Sequence, residues 1–174
     1  TDVTKRNEAV KKAFELESAL VSSGNIIYAN MNGNITFVSE KVCKTSGYTA
    51  AELIGKSLKI FNSDYHPKSY FKTLWQTILK GKIWNGEIRN KRKDGTYFWI
   101  FGTIIPIKNT NGKVTHFINV RQDITELKDA RLQKIREVID AQEQEKESFA
   151  KELHDGLGQI LLASKMNLNA IETE

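Results

Sequence analysis

The residues most able to do chemistry stand in one stretch, Glu152-Leu153-His154-Asp155-Gly156-Leu157-Gly158-Gln159. A neutral imidazole is a good nucleophile near pH 7, because its unperturbed pKa is ~6.5. A neighbouring carboxylate can hold one ring nitrogen as N–H and leave the lone pair of the other outward, and Asp155 directly follows His154. One helical turn beyond Asp155 stands Gln159, whose amide can position a water for hydrolysis of a phosphoryl group on a bound partner. Gly156 and Gly158 are poor helix formers, each about 1 kcal/mol worse than Ala. Close approach of a large partner surface is one reason to find two of them there.

These residues need a helix to carry them. Phe149, Leu153, Leu157, Ile160, Leu161, Leu168 and Ile171 recur at spacings of three and four, the mark of one helix face that seeks a partner. His154 falls at the edge of that stripe, with room for one ring nitrogen to meet an incoming group. No proline interrupts Thr125 to Glu172, so a single helix of ~70 Å is expected at ~1.5 Å per residue. Leu127, Leu132, Ile135, Val138 and Ala141 form a seam with imperfect heptads, and Gln142 to Glu147 is wholly polar. A lone helix of this composition is marginal, so a parallel homodimer is expected, with the polar stretch as its weak point.

Upstream the pattern changes. Residues 7–20 read as a helix, with Val10, Ala13, Phe14 and Leu20 on one face. From Asn25 to Ile124 the chain reads as strands and turns. Asn32-Gly33 lies between two β-branched runs, a strong hairpin signal. Short helices are expected at 40–46 and 50–53. A longer one follows Pro67, which suits a first helical position, and Gly81 stops it. Trp84 to Arg92 alternates, with Trp84, Gly86, Ile88 and Asn90 on one face. Asp94-Gly95 and Asn111-Gly112 mark the turns around Tyr97 to Ile107, which is apolar on both faces, so both faces of its sheet should be covered. The order is α+β. Asp123 with Glu126 three residues on forms a candidate capping box, running the last strand straight into the long helix.

The whole is 174 residues with a net charge of +5 and both signs mixed, which favours solubility over nucleic-acid binding. The single cysteine, Cys43, excludes an internal disulfide. No run approaches the ~20 apolar residues of a membrane span, and no signal peptide is visible, so a cytoplasmic location is expected. No Cys/His cluster has metal-ligand spacing.

Four resemblances add to this reading. Residues 18–125 resemble a PAS domain: a five-stranded antiparallel sheet with flanking helices. The resemblance lies in Gly33-Asn34-Ile35-Thr36-Phe37-Val38, in Ser46-Gly47-Tyr48 with Glu52-Leu53-Ile54-Gly55, in Asn90-Lys91-Arg92-Lys93-Asp94-Gly95, and in Arg121-Gln122-Asp123-Ile124-Thr125-Glu126. Asp2-Val3-Thr4-Lys5 is similar to Asp123-Ile124-Thr125-Glu126 and suggests the exit of an earlier PAS domain. The stretch around His154 resembles the phosphoacceptor box of sensor histidine kinases of the nitrate- and desaturase-sensor subfamily. That resemblance implies that His154 is phosphorylated from ATP, that Asp155 assists as general base, and that Gln159 serves phosphatase activity towards a response regulator. The string Trp84-Asn85-Gly86-Glu87 through Asn90-Lys91-Arg92-Lys93 resembles the flavin-binding PAS domains of redox and aerotaxis sensors, implying Trp84 and Asn90 as FAD contacts; another small molecule and a closed core without a ligand are the other readings of that pocket. Residues 62–67 do not match that group, and the surroundings of Cys43 do not match the cysteine motif of blue-light flavin domains.

The expected organisation is therefore the exit of a preceding domain over 1–6, a helix over 7–20, a sensor over 21–125, a signalling coiled coil over 126–148, and the first, truncated phosphoacceptor helix over 149–174. Asp123, Thr125 and Glu126 would couple sensor to helix. Partners would be a second copy, a response regulator and the ATP-binding domain of a parent protein-histidine kinase. ATP and Mg would enter only with that domain, so the fragment alone should be inactive. The alternatives are a ligand- or FAD-binding dimerisation module without phosphotransfer, and a redox-sensing flavoprotein domain. Among other residues, Cys43 and His116 read as structural, His66 as a helix cap ahead of Pro67, and Lys91-Arg92-Lys93 as a solvated turn.

Overall fold

The computed structural model describes residues 24–171, with side-chain surroundings through residue 165. The expectations for residues 1–6, for a helix over 7–20 and for residues 172–174 lie outside the described residues. The chain divides into two compact units, Thr1–Glu126 and Leu127–Glu174.

The first unit opens with a hairpin, β1 (Ile26–Asn30) and β2 (Ile35–Val38). Its turn is built by Asn30, whose Oδ1 accepts from the N–H groups of Asn32 and Asn34, each at 3.0 Å. Gly33 is needed there twice over. Its φ is +77°, and a Cβ would stand 2.9 Å from the ring of Trp75. Then come α1 (Glu40–Ser46), α2 (Ala50–Leu53), a 3₁₀ turn (Leu58–Phe61) and α3 (Lys68–Leu79). Each start or stop has a local cause. Gly47 closes α1 in the left-handed region, and Thr49 with Glu52 makes a full capping box on α2. Pro67 sits at the cap of α3, one position earlier than expected, and its fixed φ of −65° is the shared reason.

Three long strands complete the sheet: β3 (Trp84–Lys91), β4 (Tyr97–Lys108) and β5 (Val114–Asp123). The order is β2-β1-β5-β4-β3, and every pairing is antiparallel. The first strand thus lies against the last, and a short hairpin is tied into the sheet by its longest-range contact. Helices cover one face. Leu74 and Ile78 of α3 pack on Ile88, Phe98, Ile100 and Ile104, while Val42, Leu53 and Phe61 pack on Ile27 and Ile35. Each such fully buried side chain contributes roughly 1.5–3 kcal/mol. On β4 the alternation is clear: Phe98, Ile100 and Ile104 are buried, whereas Tyr97 and Phe101 are 44 % and 41 % exposed. On that second face these two rings are only partly covered by the described residues.

Two expectations about turns and caps need correction. Lys91-Arg92-Lys93 is not merely solvated. Arg92 Nε donates to the Thr45 carbonyl at 2.9 Å, and Nη1 donates to the Tyr97 carbonyl at 2.8 Å. Lys93 donates its backbone N–H to Ser46 and its ammonium to Glu52 at 2.6 Å. That bond, with the Thr49 amide second, holds the Glu52 carboxyl down to about 2. The turn is a clasp joining β3 to α1 and α2. At the exit, Asp123 Oδ1 accepts from the N–H and hydroxyl of Thr125, at 2.9 and 2.6 Å. This is an Asx turn, and no reciprocal bond from Glu126 closes a capping box among the described residues. Thr125 Oγ1 in turn accepts from the Trp99 N–H at 3.0 Å, fixing the start of the next helix to β4.

That helix, α4 (Thr125–Ile171), is one unbroken run of 47 residues, with only Ile124 between it and β5. No helix among the described residues is long and apolar enough to cross a membrane.

Candidate functional site

The inner face of the sheet is apolar except along the line where its two hydrophobic clusters meet. There the side chains of Asn90, Asn119 and Arg121 are 5 %, 7 % and 7 % exposed. Asn90 Nδ2, Asn119 Oδ1, Arg121 Nε and the hydroxyl of Ser46 are all buried without a hydrogen-bond partner. Native cores pair such atoms in the great majority of cases, so these four, with Asn25 Oδ1 a fifth among the described residues, call for an explanation. Alternation explains how they arrive there. Phe117, Asn119 and Arg121 take every second place on β5, and all three are buried. The guanidinium of Arg121 lies 5.0 Å from the Phe61 ring centre and 6.0 Å from that of Phe98, between the clusters. Burial pushes its pKa down to about 10, with Asp123 pulling the other way.

Two glycines face this line from neighbouring strands. Gly102 pairs with both Gly86 and Arg121. A Cβ on Gly102 would find ordinary contacts, among them Asn119 Oδ1 at 3.5 Å. A Cβ on Gly86 would strike the indole of Trp84 at 2.5 Å and the Tyr70 hydroxyl at 2.7 Å. Trp84 therefore folds back over Gly86, held edge-on by Tyr70 at 5.8 Å between ring centres. Trp84 and Asn90 share a face as expected but are not brought together. They stand at opposite ends of β3, ~20 Å apart along the strand at ~3.3 Å per residue. Arg121, Asn119 and Ser46 were not singled out from the sequence. The signal for the first two was the alternation of β5, which places them on the face of Phe117.

His66 is also not the cap it was expected to be. Its Nε2 accepts the Arg89 N–H at 3.0 Å, and its ring stacks on Tyr70 at 4.4 Å. It pins the start of α3 to β3. Burial holds its pKa below the ordinary imidazole range, while Glu87 pulls the other way. Cys43 packs beside the second cluster, and burial raises its thiol pKa, as a structural cysteine requires.

On α4 the surroundings are the reverse. The His154 side chain is 91 % exposed, and its Nδ1 lies 3.8 Å from Asp155 Oδ1. That is within ion-pair range but too long for a hydrogen bond. Gln159 stands one turn past Asp155 on the same helix, and its side chain is exposed. Gly156 and Gly158 border open space, with nothing within 4 Å of a built Cβ. Their smallness answers to no neighbour within the described residues. Phe149, Leu153, Leu157 and Ile160 are between 51 % and 64 % exposed, an apolar stripe without cover.

A five-stranded antiparallel sheet in this order, with short helices over one face and a helix leaving its last strand, defines a sensory α+β module. The chain belongs to the PAS domain family, whose model matches residues 22–126. It is similar to the nitrogen fixation regulatory protein of Klebsiella pneumoniae, 27 % identical over 100 residues that cover 58 % of this chain and 20 % of the relative. It is also 27 % identical to the aerotaxis receptor of Escherichia coli (strain K12) over 128 residues, 74 % of this chain and 24 % of that one. A blue-light-activated histidine kinase of Brucella canis is 28 % identical over 91 residues, 52 % of this chain and 19 % of that one. The chain thus spans a quarter or less of the length of these relatives. Among solved structures, a light-oxygen-voltage domain studied with a flavin analogue superposes with a TM-score of 0.60 at 20 % identity, covering 71 % of this chain and 94 % of that one. That likeness carries the fold alone.

Proposed function

We propose that this chain is the sensory and phosphoacceptor part of a two-component histidine kinase, in which the state of the PAS core is passed along α4 to His154. The observation that carries the reading is a reactive-type histidine, 91 % exposed and followed by an acid, on a helix unbroken from the exit of the sheet. In-line attack of His154 on the γ-phosphate of ATP needs an open ring nitrogen and an approach path, and the exposure supplies both. Asp155 orients the ring and takes its proton, and Gln159 positions water when the phosphoryl group on the regulator's aspartate is hydrolysed. The uncovered stripe on α4 supports pairing with the same helix of a second copy. Gly156 and Gly158 let a catalytic domain or regulator approach the backbone closely. Kinase relatives among the matches support this reading, as does the aerotaxis receptor for the sensory role.

For the core, the proposed ligand is a flavin, FAD by resemblance. The residues fit such a group. Its ring has a polar pyrimidine edge and an apolar edge, and this sheet face has unpaired polar atoms at Asn90 and Arg121 and an aromatic end at Trp84 and Tyr70. Asn90 Nδ2 and Arg121 Nε would donate to ring acceptors, Asn119 Oδ1 would accept an N–H, and Trp84 would pack on the apolar part. Bound, the flavin supplies a redox- or light-dependent change of charge, and the chain's own residues hold it away from water.

The test is labelling in trans. With the parent's ATP-binding domain and labelled ATP, the wild-type chain takes up acid-labile phosphate and His154→Gln takes up none. Equal label on the variant would remove His154 from this role, leaving a ligand-binding dimerisation module. A visible absorption spectrum of the purified chain tests the flavin separately.

A further inference from the structure

Of the unpaired groups along the core seam, Arg121 is the one that carries charge. Among the described residues no counter-charge lies inside the fold beside it. Asp123, the carboxylate that acts on it, is exposed and spends its Oδ1 on the N–H and hydroxyl of Thr125. No ion pair to Arg121 occurs among the described residues. The rings of Phe61 and Phe98 ease a buried cation without neutralising it. A guanidinium 7 % exposed with an empty Nε weakens the fold that holds it. Leucine in its place would join the two clusters directly. A buried guanidinium whose Nε has no partner points to a group that would take up its charge.

We infer that Arg121 is the charge partner of the core ligand, so that the site selects a heterocycle presenting a negative charge or a strong acceptor edge to the Phe61–Phe98 end. Asn90 pairs with Phe98 across β3 and β4, and adds a neutral donor at the same end. Gly102, next to Arg121 on β4, leaves the sheet bare where the ligand's plane would pass. The assignment rests on the flavin reading for the identity of the ring, but not for its charge.

Two measurements separate the assignments. In the first, thermal unfolding of the ligand-free chain is compared for wild type, Arg121→Leu and Arg121→Gln, the second variant guarding against a folding failure of the first. Both variants should unfold at a higher temperature than wild type. Unfolding at or below the wild-type midpoint in both would show the cation already neutralised by the fold, and would overturn the inference. In the second, the same proteins and Arg121→Lys are titrated with FAD, followed by flavin fluorescence. Loss of the charge should weaken binding roughly tenfold or more, the range of a hydrogen bond to a charged group, and Lys should recover part of it. Equal affinity for all four proteins would also overturn it. If wild type binds no FAD, the flavin reading fails by itself, and the unfolding order still decides whether Arg121 awaits an anionic ligand.

Discussion

Arg121 and His154 are opposite solutions to placing a nitrogen base. The arginine is 7 % exposed, between two aromatic rings, with an unpaired Nε. The histidine side chain is 91 % exposed, with one carboxylate 3.8 Å away. In the first unit the group is enclosed and its charge has no partner among the described residues. In the second the imidazole is open to solvent and few described residues surround it. The contrast separates two ways in which function marks a structure: an interior that does not balance its own charge, and an exterior that does not cover its own apolar surface. Under the proposals above, each unfinished feature is completed by a second molecule, a small one inside and a large one outside.

The sharpest way to break the contrast is to delete one apolar side chain from each unit. Phe98→Ala should destabilise the chain by about 3–5 kcal/mol, because the ring is 2 % exposed and joins the inner core to two guanidiniums. Leu153→Ala, at a position 51 % exposed, should leave monomer stability within about 0.5 kcal/mol and weaken self-association instead. Urea unfolding and sedimentation across a concentration series read the two effects. A large loss of monomer stability in Leu153→Ala would mean that α4 is already covered in the single chain.

A smaller effect of opposite sign is expected at Gly156. With open space around it, Gly156→Ala should raise the helix content and stability of α4 by about 1 kcal/mol. The same change should slow labelling of His154, if the glycine serves close approach. Circular dichroism and the trans-labelling rate check the two halves, and an unchanged rate would leave the glycine unexplained.

The smallest effect concerns pH. His66 must be neutral at Nε2 to accept the Arg89 N–H, and burial lowers its folded pKa. Its contribution to stability is therefore complete above the unfolded value of ~6.5 and is lost as pH falls through the lower folded value. Urea midpoints should fall on acidification through that window, and the fall should be weaker in His66→Gln, which keeps an acceptor without titrating.

Much of this architecture was legible because its signals are local. Asn32-Gly33, Asp94-Gly95 and Asn111-Gly112 announced turns, and their glycines have φ of 77°, 89° and 75°. Thr125 to Ile171 announced its helix by lacking any breaker, and the alternation along β3 placed Trp84, Ile88 and Asn90 on one face. What escaped were partnerships across the fold. An arginine next to Val120 and Gln122 looks like a surface residue until the strand is seen to have its sheet covered on that side. His66 looks like part of a helix start, yet its bond goes to Arg89, 23 residues away. The clasp of Arg92 reaches back 47 residues to Thr45. Binding partners so far apart in the chain leave no periodic trace.

Gly86 shows how such a trace can nevertheless be hidden in plain composition. Its hydrogen stands where any larger substituent would collide with the indole two residues earlier. Positions 70, 84 and 86 are thus one unit of variation: with the indole and the Tyr70 hydroxyl in place nothing larger than hydrogen fits at 86, and room there opens only when both neighbours give way.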